Sequence, residues 1–296
     1  MTCFHPLTMY WTGNYTRNGK KEYTFNIAQG YSDMAQQVPC GQCIGCRLRR
    51  SRDWSVRCMC EARLHKDTCF ITLTYRDSDL PKNGTLVKKH VQDFLKRLRK
   101  NLGVKVRYYM CGEYGTKKSR PHYHICLFGY DFPDKKLWKV NNGYALYNSA
   151  ILSKLWPFGY SVIGSLTYES AAYVARYILK KQLGKDSTIY GELGIIPEYT
   201  AMSRRPGIGG EWFDKYHSDL FANDFKVMFK NTKVAMPAYY EKMFDIYYDE
   251  YYDLYKRYVK AKAKINPLDT DDFLRLESCK YRQIKRLVRP VESELV

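Results

Sequence analysis

Three apolar runs of strand length constrain this chain more than any other feature: CFITLTY (69–75), VKVRYYMC (104–111) and HYHICLFG (122–129). All three are rich in β-branched and aromatic residues and are bounded by turn-forming residues, RDSDLPKNG after the first and GEYGTKKSRP between the other two. The first run reads as a buried strand, and the other two read as a hairpin closed by a basic loop. GYSVIGSL (159–166) is a further strand. Between strands, residues 86–102 place Val87, Val91, Phe94, Leu95, Leu98 and Leu102 at helical spacing, with lysines and arginines largely on the other face. SAAYVARYILKKQ (170–182) reads as a short helix that stops before Gly184. Strand, helix, strand, strand, strand, helix predicts an α+β fold, with helices packed on one central antiparallel sheet of about five strands.

Two regions flank that sheet. From Cys40 the chain reads CGQCIGCRLRRSRDWSVRCMCEARLHK, a Cys-rich turn running into an Arg-dense stretch without helix breakers, which predicts a basic helix over about 44–65. Beyond Glu211 the sequence is mixed in charge and rich in Tyr, with helical periodicity around 239–264. The expected organisation is a Cys-rich basic segment over 1–68, a sheet domain over 69–210 and an accessory helical region over 211–296.

Charge narrows the partner. The 296 residues carry 49 Lys+Arg against 30 Asp+Glu, a net +19 that exceeds what solubility requires and points to a polyanion. The excess is local: residues 1–130 hold 23 basic and 9 acidic side chains, whereas 211–296 hold 16 and 15. With 45% hydrophobic residues the chain can bury a core, which excludes global disorder. No apolar run reaches membrane-span length, and the first thirteen residues lack a signal-peptide pattern, so neither secretion nor membrane insertion is expected. The ten cysteines are then expected in a reducing compartment, as thiols or metal ligands.

Four groups could carry chemistry. His122 and His124 alternate with Tyr123 on a strand, so both imidazoles face one way and can share a cation, although two histidines on a strand are also ordinary surface residues. Glu113, at the end of the hairpin's first arm, is a third ligand for a hard or borderline divalent ion, or else a solvated loop carboxylate. Tyr173 and Tyr177 share one helix face, with Arg176 and Lys180 three residues after each. The spacing alone is uninformative among 28 Tyr, but the copies at Tyr247/Tyr251 and Tyr248/Tyr252 sit among acidic residues that would repel a phosphate. Cys40, Cys43 and Cys46 have the C-x2-C-x2-C spacing of a zinc site, with Cys3 the favoured fourth ligand, Cys58 and Cys60 the alternatives, and buried free thiols or an iron–sulfur cluster the competing readings. Cys69, Cys111 and Cys126 fall in strands and read as small core residues. No phosphate-cradling G-x-x-x-x-G-K-[ST] is present, so ATP hydrolysis is not expected.

In order, CFITLTY, GEYG followed by RPHYHICLFG, and YVARYILKK resemble the three motifs of the HUH endonuclease superfamily, and most closely those of the rolling-circle replication initiators of gokushovirus-type microviruses; CGQCIGCR and SRRPGIG (203–209) share that likeness. The resemblance covers about residues 40–209. It implies an HUH/RRM-like sheet, with His122, His124 and Glu113 holding Mg2+ or Mn2+, and Tyr173 and Tyr177 as tandem nucleophiles with Lys180 as the motif's lysine. Arg176 stands where the motif has a lysine. It further implies a two-tyrosine endonuclease and strand transferase that nicks single-stranded DNA at a viral origin through a 5′-phosphotyrosine. Such a protein acts in the host bacterial cytoplasm beside host helicase and polymerase. A non-catalytic single-strand nucleic-acid binding protein and an HUH relaxase or transposase are the alternatives.

Overall fold

A computed structural model describes residues 3–103, 105–115, 119–141, 143–176, 187–229, 231–262 and 270–285. In chain order its elements are β1 (Leu7–Tyr15), β2 (Lys21–Thr24), β3 (Tyr31–Val38), α1 (Ile44–Ala62), β4 (Thr68–Tyr75), α2 (Lys88–Leu102), β5 (Arg107–Tyr114), β6 (Pro121–Phe128), β7 (Lys136–Asn141), β8 (Tyr144–Asn148), α3 (Ala150–Leu155), β9 (Gly159–Gly164) and α4 (Tyr168–Arg176). They continue as α5 (Thr188–Glu192), β10 (Tyr199–Met202), α6 (Gly210–Ala222), β11 (Lys226–Phe229), β12 (Thr232–Ala235), α7 (Ala238–Tyr247), α8 (Asp249–Lys262) and α9 (Thr270–Lys285).

The chain divides into two compact units, Met1–Arg49 with Asn266–Leu287, and Arg50–Ile265 with Val288–Val296. The first contains the antiparallel sheet β2-β1-β3 and α9, with His5 Nε2 2.8 Å from a Glu277 carboxylate oxygen. Nothing in the sequence pattern predicts these strands: β3 is exposed along nearly its whole length, so no apolar alternation marks it.

The second unit is built on a seven-stranded sheet in the order β10-β5-β6-β4-β9-β8-β7, with every pairing antiparallel. The α+β architecture is the expected one, and the sheet is wider than about five strands. The additional strands are peripheral. The β7–β8 hairpin ends one edge and the four-residue β10 ends the other, where solvent on one side relaxes the demand for apolar sequence. The interior strands β4 and β6 are buried on both faces, which explains why they read as unbroken apolar runs.

One face carries Ile71, Leu73, Tyr123, Ile125 and Leu127 against Val91, Phe94, Leu95 and Leu98 of α2 and Leu152 and Leu155 of α3. Phe94 and Trp156 are fully buried there. The opposite face packs Phe70, Tyr109, Cys126 and Phe128 against Cys58 of α1 and Ala171, Tyr173 and Val174 of α4. The outer side of α1 presents Val56 and Cys60 to Trp212, Phe213, Tyr240 and Phe244 of α6 and α7. Residues 211–258 therefore share a core with α1 within this unit. Among the described residues no helix is long and apolar enough to cross a membrane.

Gly159 opens β9 where it crosses closest to β4: a Cβ there would lie 2.4 Å from Thr74 O and from Arg76 N. Only a residue without a side chain admits this approach.

Candidate active site

The site begins with strand register. β6 runs between β5 and β4, pairing His122 with Glu113 and Thr74, and His124 with Cys111 and Thr72. Residues directly opposite across a ladder project to the same face, so a carboxylate, two imidazoles and two threonines share one side of the sheet. β5 extends to Tyr114, three residues beyond the apolar run, and Glu113 thereby belongs to the ladder rather than to the loop.

Each imidazole is held at Nδ1. His122 Nδ1 donates to the Arg120 carbonyl at 2.6 Å, and His124 Nδ1 lies 3.0 Å from Thr72 Oγ1. Such outer contacts fix ring orientation and leave Nε2 to act. His124 Nε2 is 3.1 Å from Glu113 Oε1, both side chains being buried. The two rings are parallel within 3°, with centroids 6.3 Å apart. Burial first, and then His124 nearby, push the His122 imidazole down to about 4, so it is neutral at ordinary pH, as a metal ligand must be.

Two neutral imidazoles and a carboxylate on one face are the donors that an open divalent-metal site uses. Among the described residues, the four-cysteine group discussed below is the one set of three or more ligand atoms all within 4.8 Å of one another; the Glu113, His122 and His124 atoms are set more widely. The donor chemistry fits, and an ion would have to draw those atoms together.

α4 covers this face. Tyr173 is only 3% exposed, and its ring meets that of His124 edge-on at 85° with centroids 5.1 Å apart. Phe70 of β4 stacks on His124 from the sheet, centroids 5.8 Å apart. The structure thus brings together Glu113, His122, His124 and Tyr173. Tyr177 and Lys180 lie outside the described residues. Arg176, in the last described turn of α4, is half-buried.

The first unit holds the second candidate centre. The sulfurs of Cys3, Cys40, Cys43 and Cys46 all lie within 4.8 Å of one another, with Cys3 and Cys43 Sγ 3.9 Å apart. Backbone N–H groups of Cys40, Cys43 and Phe4 point at Sγ of Cys3, Cys40 and Cys43 at 3.3 to 3.4 Å. Burial opposes ionisation of the Cys40 thiol, but the Cys43 and Gln42 backbone N–H groups outweigh it and bring the thiol down to about 7. A group of this kind can hold a metal such as Zn2+. Cys58 and Cys60, the alternative fourth ligands, are buried in the two apolar cores on either side of α1.

Sequence reasoning missed Thr72 and the Arg120 carbonyl. The available signal was the pair Thr72 and Thr74 alternating within an otherwise apolar strand; no residue type marks a carbonyl that orients a ring.

Comparison with known proteins places this geometry in context. The profile of a family described as replication-associated protein of the ORF2 type matches residues 68–182. The chain is similar to replication-associated protein ORF2 of Spiroplasma virus 4, at 33% identity over 99% of each chain. It is also similar to replication-associated protein VP4 of Bdellovibrio phage phiMH2K, at 32% identity over 89% of this chain and 84% of the relative. Replication-associated protein ORF4 of Chlamydia phage 1 is 35% identical over 53% of this chain and 42% of its own length. No solved structure matches the chain.

Proposed function

Because the chain belongs to the family of microvirus replication-associated proteins, we propose that it nicks and rejoins single-stranded DNA to start and end rolling-circle replication of a phage genome. The observation that carries this reading is the meeting of Glu113, His122 and His124 on one sheet face with the Tyr173 ring of α4.

A tyrosine phenolate oxygen attacks the scissile phosphorus, the P–O3′ bond breaks, and the departing 3′-oxygen takes up a proton to become a free 3′-OH. The phenolic proton passes to solvent. The 5′-phosphate remains esterified to the enzyme, so one phosphoester replaces another and the step is reversible. Tyr173 and Tyr177 are the nucleophiles, so that one phenol can cut the regenerated origin while the other is still esterified. Glu113, His122 and His124 would hold Mg2+ or Mn2+, which when bound supplies positive charge to a non-bridging phosphate oxygen. Arg176 and Lys180 add positive charge near the phosphate. Since Tyr173 is covered, the reading requires DNA to enter between α4 and the sheet.

The proposed setting is the host bacterial cytoplasm, with a host helicase separating the strands and a host polymerase extending the 3′-OH. The cysteine group of the first unit would hold structural Zn2+.

The test is a denaturing gel with a labelled origin oligonucleotide and Mg2+ or Mn2+. Wild type is expected to form a covalent adduct, and Tyr173→Phe with Tyr177→Phe to form none while binding DNA within a few fold of wild type. An adduct that survives in the double variant would falsify the tyrosine assignment; a wild type that binds without cutting is instead a non-catalytic binding protein.

A further inference from the structure

The ladder that carries the histidines continues past them. Thr74, opposite His122 on β6, is also opposite Tyr160 on β9, and Thr72, opposite His124, is also opposite Val162. Tyr160 therefore projects from the same sheet face as the imidazoles, two strands away, about 10 Å at the usual inter-strand spacing. The covering helix does not bury it: Tyr160 is 55% exposed, whereas Tyr173 under α4 is 3% exposed.

Beside Tyr160 is a cleft of about 580 Å³, within the range of small-ligand sites, lined also by Lys136, Trp138, Asn148 and Val162. Trp138 is 42% exposed, although an indole on an edge strand ordinarily buries more of its ring. Lys139 Nζ lies 4.3 Å from the Trp138 ring centroid, and with Lys136 it makes this edge cationic. The one acidic lining residue, Asp134, is engaged elsewhere, accepting from Ser149 Oγ at 2.5 Å and from the Ile151 N–H at 2.9 Å. Two exposed aromatic rings, two ammonium groups and a cleft between them have the chemistry of a base-stacking site for single-stranded nucleic acid. Exposed aromatics on an edge strand gain nothing in folding stability from their position, so their exposure calls for a ligand.

We propose that Tyr160 and Trp138 form a base-stacking subsite that receives the single-stranded DNA next to the phosphate held at His122 and His124. This rests on the nicking reading for what lies at the histidines, but the cleft's affinity for single strands is measured apart from it. Lys136 and Lys139 hold the backbone, and the stack sets which phosphate comes to the imidazoles. Duplex DNA, whose bases are already stacked on each other, is excluded.

The test measures binding of a fluorescein-labelled single-stranded oligonucleotide by anisotropy in EDTA, where no cleavage occurs. Tyr160→Ala and Trp138→Ala are each expected to weaken binding by roughly tenfold or more, in keeping with the loss of one stacked base. Tyr160→Phe should stay within about threefold of wild type, because stacking needs the ring and not the hydroxyl. In wild type, single-stranded DNA should quench tryptophan emission, and Trp138→Phe, which keeps an aromatic ring in the hairpin, should remove most of that quench. Folded alanine variants that bind like wild type, or an unchanged quench in Trp138→Phe, overturn the subsite. The two readings fail separately: wild-type binding with the expected losses but no nicking sinks the nuclease alone, whereas normal nicking with unaltered binding in the variants sinks the subsite alone.

Discussion

At the scale of single residues, ring orientation is the controlling quantity. His124 is fixed at Nδ1 by Thr72 and His122 by a backbone carbonyl, so both imidazoles keep Nε2 on the face where Glu113 lies. Removing the Thr72 hydroxyl without changing its shape frees one ring. Thr72→Val is expected to lower divalent-ion affinity or nicking by about 10- to 100-fold, the usual cost of an outer contact at a metal site. Titrating Mn2+ against nicking rate measures it, and a variant with wild-type Mn2+ dependence rules Thr72 out of that role. His122, His124 and Glu113 were legible in the sequence because a period of two and a hairpin suffice to place them on one face. Thr72 was not, because a threonine in a strand has good β-propensity whether or not it touches a ring.

At the scale of elements, the cysteine turn and the start of α1 form one device. Three thiols within seven residues converge with Cys3 only because the N–H groups of the turn point at the sulfurs and the chain's beginning returns alongside. Native mass spectrometry should find one Zn2+ per chain, lost in Cys43→Ser; a folded chain without metal removes the site. C-x2-C-x2-C was readable as a turn of ligands, and the sequence already favoured Cys3 over Cys58 and Cys60. The competition is decided by α1 itself, whose helical period sends Cys58 to the sheet and Cys60 to the opposite side. Strands show the same divide. β4, β5, β6 and β9 announce themselves through apolar runs, whereas β7, β8 and β10 sit at sheet margins where polar side chains are tolerated.

At the scale of the molecule, Glu61 ties separate segments together. Its buried carboxylate on α1 receives Arg107 of β5, His65 at 3.1 Å and the Gly209 N–H at 2.7 Å, joining helix, sheet and the 203–209 loop. Burial disfavours its ionised form, but the His65, Arg107 and Gly209 hydrogen bonds outweigh this and hold the carboxyl below its ordinary range. A depressed folded pKa means that the unfolded chain binds the proton more readily. This stabilisation is therefore complete above the ordinary carboxylate pKa near 4.5 and fades as pH falls through the folded value. Glu61→Ala, which leaves Arg107 without its buried partner, is expected to cost about 3–5 kcal/mol in urea unfolding at neutral pH. Glu61→Gln should flatten the loss of stability on acidification, and a Gln variant with the wild-type acid profile would discount this linkage. The sequence by itself determined which segments are strands of the interior, which helix is amphipathic, and which side chains share a face, because these follow from local period and composition. Only the tertiary structure decided that α1 lies between two cores, that α4 sets Tyr173 against His124, and that Tyr160 stays open on the same ladder. Those outcomes depend on which surfaces meet, and contacts between residues far apart in sequence leave no periodic trace along the chain.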